Sequence, residues 1–178
     1  DIQAPYVMTD DFEGAKMATD YLLKTGCKEI AFIKGPENIS TTFRRFMGYK
    51  EALKNHGFSM KREYVIAPET HENLADSITA LLQNHPIDGL LAHSDYHAFK
   101  AMEIIQHLGY SIPEDISIVG YADEPLAGYT SPKITTVKQP AFEIGRVGME
   151  LLLQQIGTGK IGEPQILKTE LIVRQSTK

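Results

Sequence analysis

The sequence of 178 residues predicts an α/β domain in which helices cover both faces of an open, doubly wound parallel sheet. Two observations lead to this fold class. Short apolar segments alternate with helical segments of about four turns, and each unit has the length of a β–α–β crossover. The short segments are apolar nearly throughout, as strands are when both faces of their sheet are buried.

The predicted helices carry apolar residues at every third or fourth position, and several of them end at a glycine. They cover residues 14–26, 42–57, 71–85, 96–109 and 141–157. The predicted strands cover 29–35, 63–67, 87–94 and 115–121, and residues 165–176 form a closing strand or hairpin. Ligands of doubly wound sheets bind at the carboxyl ends of the strands, so polar residues that follow these strands are candidates for a binding site.

Composition and charge argue against several functional classes. The formal net charge of -5 argues against nucleic-acid binding by this segment itself, because phosphate binding requires a basic face. The apolar runs, such as "GLLA" and "MELLL", are too short to span a membrane. A single cysteine, Cys27, excludes an internal disulfide, and no signal peptide opens the sequence. A single cysteine suits a reducing compartment, so we expect a cytoplasmic protein.

Two short motifs suggest chemistry that their context does not support. Residues 157–162, "GTGKIG", match G-x-G-x-x-G, but a helix precedes them where a phosphate-binding loop needs a strand. His93 and His97 are four apart, but one ends a strand and the other lies in a helix, and no third metal ligand is nearby. The sequence has no nucleophile elbow, P-loop or H-E-x-x-H motif. We expect no metal, no cofactor and no enzymatic activity.

Two of the strands are followed by polar groups suited to a ligand. After the first strand, Thr41 is placed to cap a helix, and Arg45 is placed to form forked hydrogen bonds with vicinal hydroxyls or a carboxylate. The alternative for Arg45 is a surface arginine, which we expect Arg44 to be. After the third strand, we expect Ser94 or Asp95 to cap the next helix while its neighbour faces the ligand.

The fourth strand leads into an unusually polar connection. Tyr121 is predicted to stack on an apolar face of the ligand, and Asp123 to accept hydrogen bonds from its hydroxyls; the alternative for Asp123 is a turn acid. Residues 120–140, "GYADEPLAGYTSPKITTVKQP", hold more specified polar groups than a connector needs. We interpret them as one rim of a pocket followed by the crossing into a second lobe.

Four stretches resemble the effector-binding core of LacI/GalR-type transcriptional regulators. They are "MTDDFEGAKMATDYLLKTGCKEIAFIKGP", "RRFMGYKEAL", "HSDYHAFKAMEIIQHLGYSIPEDISIVGYAD" and "SPKITTVKQPAFEIGRVGMELLL". The resemblance covers residues 7–177 and implies a two-lobed fold similar to type I periplasmic binding proteins. Residues 10–139 would form its C-terminal lobe. Residues 1–9 and 140–178 would be the crossover and the elements that pack with the absent N-terminal lobe or close the core.

The resemblance also implies a function. A small metabolite, a sugar or a sugar derivative, would be the effector, and a homodimer would bind operator DNA through an N-terminal helix-turn-helix headpiece that this sequence lacks. The alternative is a periplasmic sugar-binding protein of a transport or chemosensory system, which shares the core fold. The stretches "VKQPAFEIG" and "IPEDISIVGYAD" favour the regulator.

Individual positions follow from the same resemblance. The family's effector-contacting arginine, in the pattern R-x-x-G-Y, is Arg45, and the small polar residue four positions earlier is Thr41. The usual Asn-Asp pair appears as Ser94–Asp95, and the first aspartate of G-[YF]-D-[DN] is replaced by Ala122, followed by Asp123. We expect Arg45→Ala to weaken the effector response and leave the fold intact. The full set of implied effector-binding residues is Arg45, Asp123, Ser94, Thr41, Tyr121, Asp95 and Gln139.

Overall fold

The computed structural model of the protein describes residues 4–68 and 71–178, so part of the predicted 1–9 segment lies outside the described residues. The α-helices are α1 (Asp11–Lys24), α2 (Ser40–Asn55), α3 (His71–Asn84), α4 (Asp95–His107) and α5 (Ala141–Thr158). The strands are β1 (Val7–Thr9), β2 (Ile30–Ile33), β3 (Val65–Ile66), β4 (Gly89–Ala92), β5 (Ser117–Ala122), β6 (Thr135–Lys138), β7 (Gln165–Leu167) and β8 (Glu170–Ile172). Short 3₁₀ helices cover Arg62–Tyr64 and Pro125–Gly128.

Six strands form the main sheet, in the order β3-β2-β4-β5-β6-β8. The first five are parallel, and β8 pairs antiparallel with β6. The chain moves outward in one direction from β2 to β3 and in the opposite direction from β4 to β6. The switch point therefore lies between β2 and β4, and the loops that leave these two strands flank the crevice where ligands of such sheets bind. The predicted fold class is confirmed.

Helices cover both faces of this sheet because its strands are apolar on both sides. Alternate residues of β2 face opposite ways: Phe32 packs with α1 and α2, and Ile33 packs with α3 and α4. Both side chains are fully buried. On the first face, Phe32 stacks on Tyr49 of α2 with ring centroids 5.2 Å apart. Gly48 lets α1 and α2 approach closely, since a Cβ there would collide with the carbonyl oxygen of Phe12. This packing fixes α2 against the switch point.

The structure differs from the sequence-based prediction after residue 130. Residues 135–138, expected as a crossover, form the fifth parallel strand β6. The predicted closing strand 165–176 divides into β7, which pairs with β1 in a separate two-stranded sheet, and β8 in the main sheet. The division falls at Thr169, whose backbone N–H and hydroxyl both donate to Asp10 Oδ1 at 2.8 Å. The hydrogen bonds between Thr169 and Asp10 thus separate β7 from β8, which the apolar pattern predicted as one strand or hairpin.

Helix α5 packs against β1 and leaves most of its apolar side chains exposed. Its largest exposed apolar residues are Phe142, Met149, Leu152, Leu153 and Ile156. Among the described residues, no helix combines the length and apolar character needed to cross a bilayer.

Candidate functional site

Arg45 lies at the centre of a buried polar cluster at the carboxyl edge of the sheet, beside the switch point. It is on the inner face of α2 and only 6% exposed. Its Nε and Nη2 donate to Asp11 Oδ1 at 2.8 and 2.7 Å, and its Nη1 donates to the His93 carbonyl oxygen at 2.6 Å. The planar guanidinium also lies over the ring of Tyr121, 3.6 Å from its centroid. The helices α1 and α2, the strand β5 and the residue that follows β4 therefore position the Arg45 guanidinium.

Arg45 and Asp11 form a buried ion pair. Asp11 is 1% exposed and begins α1, where the positive end of the helix dipole favours its charge. Removing either partner of such a buried pair would leave an uncompensated charge. The sequence predicted Arg45 at a pocket mouth; the structure places it instead just beneath the edge, with its orientation fixed by three hydrogen-bonded contacts.

A chain of hydrogen bonds links this cluster to the crossover at the end of β6. Asp11 Oδ2 accepts from the Thr9 hydroxyl at 3.2 Å, and the Thr9 hydroxyl accepts from Gln139 Nε2 at 2.8 Å. Gln139 is half-buried and follows β6 directly. The predicted residue Gln139 is thus connected to Arg45 through β1 and the first residue of α1.

Tyr121 does not occupy the position predicted for it. It is fully buried in the core between β5 and the helices α1 and α2, so no face of its ring is open to a ligand. Its hydroxyl donates to the backbone oxygen of Asp11 at 3.5 Å, and burial raises the pKa of that hydroxyl. The expectation of ligand stacking is corrected: the ring stacks on the Arg45 guanidinium and supports it from below.

Asp95 is also buried instead of facing a crevice. It is fully buried, Oδ1 accepts from the Thr136 hydroxyl at 2.5 Å, and Oδ2 accepts from the Glu124 backbone N–H at 2.7 Å. Burial raises the pKa of this carboxyl group, and the two hydrogen bonds oppose that rise. Gly120 is required beside it, since any Cβ there would collide with Asp95 Oδ1. Asp95 therefore ties α4 to the connection after β5 and is not available to a ligand.

Ser94 caps a helix, whereas Thr41 does not. Ser94 is the N-cap of α4: its hydroxyl accepts from the His97 backbone N–H at 3.3 Å and lies 2.8 Å from His97 Nδ1. The predicted cap is thus Ser94, which remains half-buried at the edge. The prediction that Thr41 caps α2 is wrong, because the N-cap is Ile39 and no side chain caps this helix. Thr41 is half-buried in the first turn, one turn before Arg45.

Asp123 is held by a residue that the sequence did not single out. Arg174 Nη2 donates to Asp123 Oδ1 at 2.6 Å, and Arg174 Nη1 donates to the Ile134 carbonyl oxygen at 2.9 Å. Ala122 and Asp123 have φ angles of 116° and 59°, a left-handed conformation that costs free energy in non-glycine residues. Any ligand hydroxyl that uses Asp123 must therefore share its carboxylate with Arg174.

His93, which the sequence suggested only as a metal ligand, also lies at this site. It is 9% exposed, and its Nδ1 has no hydrogen-bond partner among the described residues. Burial, with Arg45 and His97 nearby, lowers the pKa of its imidazole to about 4. The rings of His93 and His97 meet edge-on at 6.1 Å, and the described part of the chain contains no group of three side chains able to hold a metal.

One sequence signal would have found Asp11. It is an acid in the first turn of a helix that directly follows a strand, in "VMTDD", which is the same type of position that singled out Ser94 and Asp95. No comparable signal identifies Arg174, because its partner Asp123 is 51 residues away in the chain.

Comparison with known proteins places this architecture in a family. The family model of the periplasmic binding protein-like domain matches residues 19–177. The ribose operon repressor of Halalkalibacterium halodurans is 36% identical over 177 residues, which cover 98% of this chain and 53% of the repressor. The HTH-type transcriptional repressor CytR of Escherichia coli is 33% identical over 181 residues, which cover 100% of this chain and 53% of CytR.

Solved structures agree with these matches. A complex of the transcriptional regulator CelR with cellobiose has a TM-score of 0.91 at 32% identity, covering 98% of this chain and 54% of that one. A LacI family transcriptional regulator from Enterococcus faecium with bound ribose has a TM-score of 0.88 at 31% identity, covering 99% and 66%. The chain spans about half the length of the curated relatives it matches.

The polar cluster at the switch point thus lies at the edge where ligands of doubly wound sheets bind. The chain belongs to the periplasmic binding protein-like domain family, within the group formed by LacI-type transcriptional regulators.

Proposed function

We propose that this chain is the effector-binding portion of a LacI-type regulator, which senses a sugar or sugar derivative and controls operator binding. The observation that carries the proposal is the Arg45 cluster: a cation fixed by Asp11, His93 and Tyr121 at the switch point of the sheet. One relative is named for a ribose operon, and one solved neighbour holds ribose. These facts favour a carbohydrate ligand over other small molecules.

The ligand would lie on the edge formed by Thr41, Arg45 and Ser94, with Gln139 at its border. Arg45 would donate to ligand oxygens the N–H groups that its three protein contacts leave over. Tyr121 and Asp95 would act from beneath, the first by supporting Arg45 and the second by holding the connection after β5. The site contains no activated nucleophile and no paired acid and base, so we propose binding without turnover.

The division into lobes gives the site its control mechanism. Residues 10–139, with β8 and the residues after it, form the lobe built on the main sheet, while β1, β7 and α5 belong with an N-terminal lobe. The apolar face of α5 would be covered by that lobe. Polar contacts join the two parts: Thr9 with Asp11 and Gln139, and Thr169 with Asp10. A ligand that binds one lobe orientation better than the other shifts their equilibrium by no more than that difference in affinity.

A homodimer would transmit the lobe movement to DNA. Several large side chains are exposed on α4 and the segments that follow it and β5, which makes this face the proposed dimer contact. They are Tyr96, Leu108, Tyr110 and Tyr129, which is 87% exposed. Two-fold symmetry would match palindromic half-sites, and coupling between effector and DNA is typically worth about 1–3 kcal/mol. Such a regulator would work in the cytoplasm.

The test uses the full-length gene product. We would select DNA from a random double-stranded pool and then titrate the selected DNA with ribose and cellobiose, following fluorescence anisotropy. We expect a palindromic sequence whose affinity changes about 5- to 150-fold with a sugar. Recovery of no specific DNA, together with stabilisation of the protein by sugars, would support a transport or chemosensory binding protein instead.

A further inference from the structure

Basic residues are concentrated in one part of this acidic protein. Residues 24–62 contain nine of the 18 lysine and arginine residues but three of the 23 acidic residues. This stretch therefore carries a formal charge of +6, whereas the protein as a whole carries -5. It includes α2, the strand before this helix and the segment after it. A basic region on an acidic protein attracts negatively charged partners.

A groove lies between the outer face of α2 and the segment that follows this helix. This α2 groove has a volume of about 450 Å³. It is lined by three apolar side chains, those of Met47, Phe58 and Met60. Lys50 and Lys54 line it as well and supply positive charge. The α2 groove thus combines apolar surface with ammonium groups.

Phe58 is held in place by the backbone at the end of α2. Gly57 has a φ angle of 80°, and its N–H donates to the Lys54 carbonyl oxygen at 3.0 Å. The N–H of Phe58 donates to the Leu53 carbonyl oxygen at 2.9 Å, which completes a Schellman motif. Phe58 is nevertheless 37% exposed, and it lines both the α2 groove and a second cavity of about 180 Å³. It is therefore an accessible aromatic side chain on a fixed backbone.

The two lysines of the α2 groove are available to a partner. Lys50 forms no ion pair with a described residue, and its Nζ lies 5.7 Å from the centroid of the Phe46 ring. Lys54 Nζ is 3.8 Å from Glu51 Oε2, and the Lys54 side chain is 78% exposed. An exposed pair of this kind contributes about 0–1 kcal/mol, so Lys54 can exchange Glu51 for another carboxylate with little loss.

The α2 groove lies away from the surfaces that the proposed assembly would cover. The contacts between the two lobes, at Asp10, Gln139 and Thr169, are at the carboxyl edge of the sheet, whereas α2 begins at that edge and ends at the opposite one. The proposed dimer contact involves α4, which packs on the other face of the sheet from α2. Neither the N-terminal lobe nor the second copy would therefore cover the α2 groove.

The composition of the α2 groove favours a protein partner over nucleic acid. Methionine and aromatic side chains are enriched at protein interfaces, and flexible methionines adapt to the shape of a partner. The carboxylate of Glu51 also lines the groove and would repel a phosphate backbone. The cations of the groove are lysines, whose apolar stems add to its apolar surface, whereas arginine is the residue suited to forked contacts with phosphate.

We propose that the α2 groove binds a segment of another protein in which acidic residues flank an aromatic or large aliphatic side chain. This side chain enters the groove between Met47, Phe58 and Met60, and the flanking carboxylates pair with Lys50 and Lys54. The contact adds a protein partner to the effector, the operator and the second copy that the proposed function requires. It uses residues that the effector site does not use.

Peptide selection tests this contact directly. Random peptides of about 12 residues, displayed on phage, are selected on the full-length protein, and a synthetic copy of the most enriched peptide is titrated by fluorescence anisotropy. We expect the enriched peptides to carry at least about two acidic residues beside an aromatic or large aliphatic one. Their affinity should fall as KCl is raised, because the contacts between carboxylates and ammonium groups are exposed to salt.

Three variants localise the binding. The double variant Lys50→Glu with Lys54→Glu should weaken the peptide at least about 10-fold, because it places like charges opposite each other. Lys133→Glu with Lys160→Glu, at exposed positions outside the groove, changes the net charge equally and should alter the affinity less than about two-fold. Phe58→Ala removes the aromatic contact and should weaken the peptide about 10-fold. The melting temperature of each variant without peptide confirms that the fold is intact.

The proposal is overturned if no selected peptide binds, if the peptides lack acidic residues, or if the variant at Lys50 and Lys54 binds them as tightly as the unaltered protein does. The same variant identifies other occupants. In the absence of a selected peptide, weaker binding to a random-sequence DNA duplex would assign the groove to DNA, and loss of assemblies larger than a dimer would assign it to a second copy. Both results overturn the assignment to an acidic protein segment. Selection of an operator and its response to sugars remain separate tests of the regulator proposal.

Discussion

Removing the Arg45 side chain should destabilise the whole lobe as well as abolish effector binding. The sequence alone led us to expect that Arg45→Ala leaves the fold intact, but the structure pairs Arg45 with Asp11 in a region where the two residues are 6% and 1% exposed. Breaking a buried ion pair typically costs about 3–5 kcal/mol, because the remaining charge stays buried without a partner. That is a large part of the roughly 5–15 kcal/mol that stabilises a domain.

A double-mutant cycle in urea separates the two effects. Arg45→Met with Asp11→Leu replaces the pair by apolar groups of similar size, and such replacements are often neutral or stabilising. We expect each single variant to lose about 3–5 kcal/mol, equivalent to about 6–20 °C in melting temperature, and the double variant to regain most of it without regaining ligand binding. An exposed ion pair contributes less than about 1 kcal/mol to stability. If both single variants lose less than this in free energy of unfolding, the pair is not buried and the reasoning is refuted.

Three further substitutions test other parts of the structure. Gly120→Ala should lower the free energy of unfolding by about 1–3 kcal/mol, because its methyl group would meet Asp95 Oδ1; an unchanged urea midpoint would show that the Asp95 side chain moves aside freely. The pKa of His93 is lowered to about 4 in the folded protein, so the unfolded chain binds a proton at higher pH than the folded one. The free energy of unfolding should therefore keep its full value above pH 6.5 and fall by roughly 3 kcal/mol as the pH drops to 4. His93→Gln should flatten that part of the pH profile, and an unaltered profile would contradict the assignment. Tyr129→Glu should shift the protein from dimer to monomer in sedimentation equilibrium without lowering its melting temperature under monomeric conditions, whereas an unchanged dimer would place the contact elsewhere.

The alternation of apolar segments and amphipathic helices was enough to predict the fold class, because both signals arise locally. It predicted four of the strands, their order along the chain and the sheet edge at which we propose the site. It could not separate β7 from β8, since Thr169 and Asp10 meet through contacts 159 residues apart. It likewise treated residues 135–138 as a crossover, because Thr135 and Thr136 are polar residues that become fully buried only through Asp95 and the C-terminal segment.

The sequence predicted that the candidate residues lie at one edge of the sheet, but not which way each side chain points. Polar residues after strands do meet at one edge, as the topology requires. Whether each faces the ligand or the core depends on partners that are distant in sequence. Tyr121 is turned into the core under Arg45, and Asp123 is held by Arg174. Periodicity carries no information on such pairs, so only the assembled structure distinguishes ligand contacts from their supports.

The most direct test of the central claim is a crystal structure of the full-length protein with a sugar that raises its melting temperature. We expect the ligand between two lobes at the switch point, with the Arg45 guanidinium within hydrogen-bond distance of it and the contact to Asp11 retained. A ligand bound elsewhere, or one that leaves Arg45 without a contact, would contradict the assignment of this edge as the effector site.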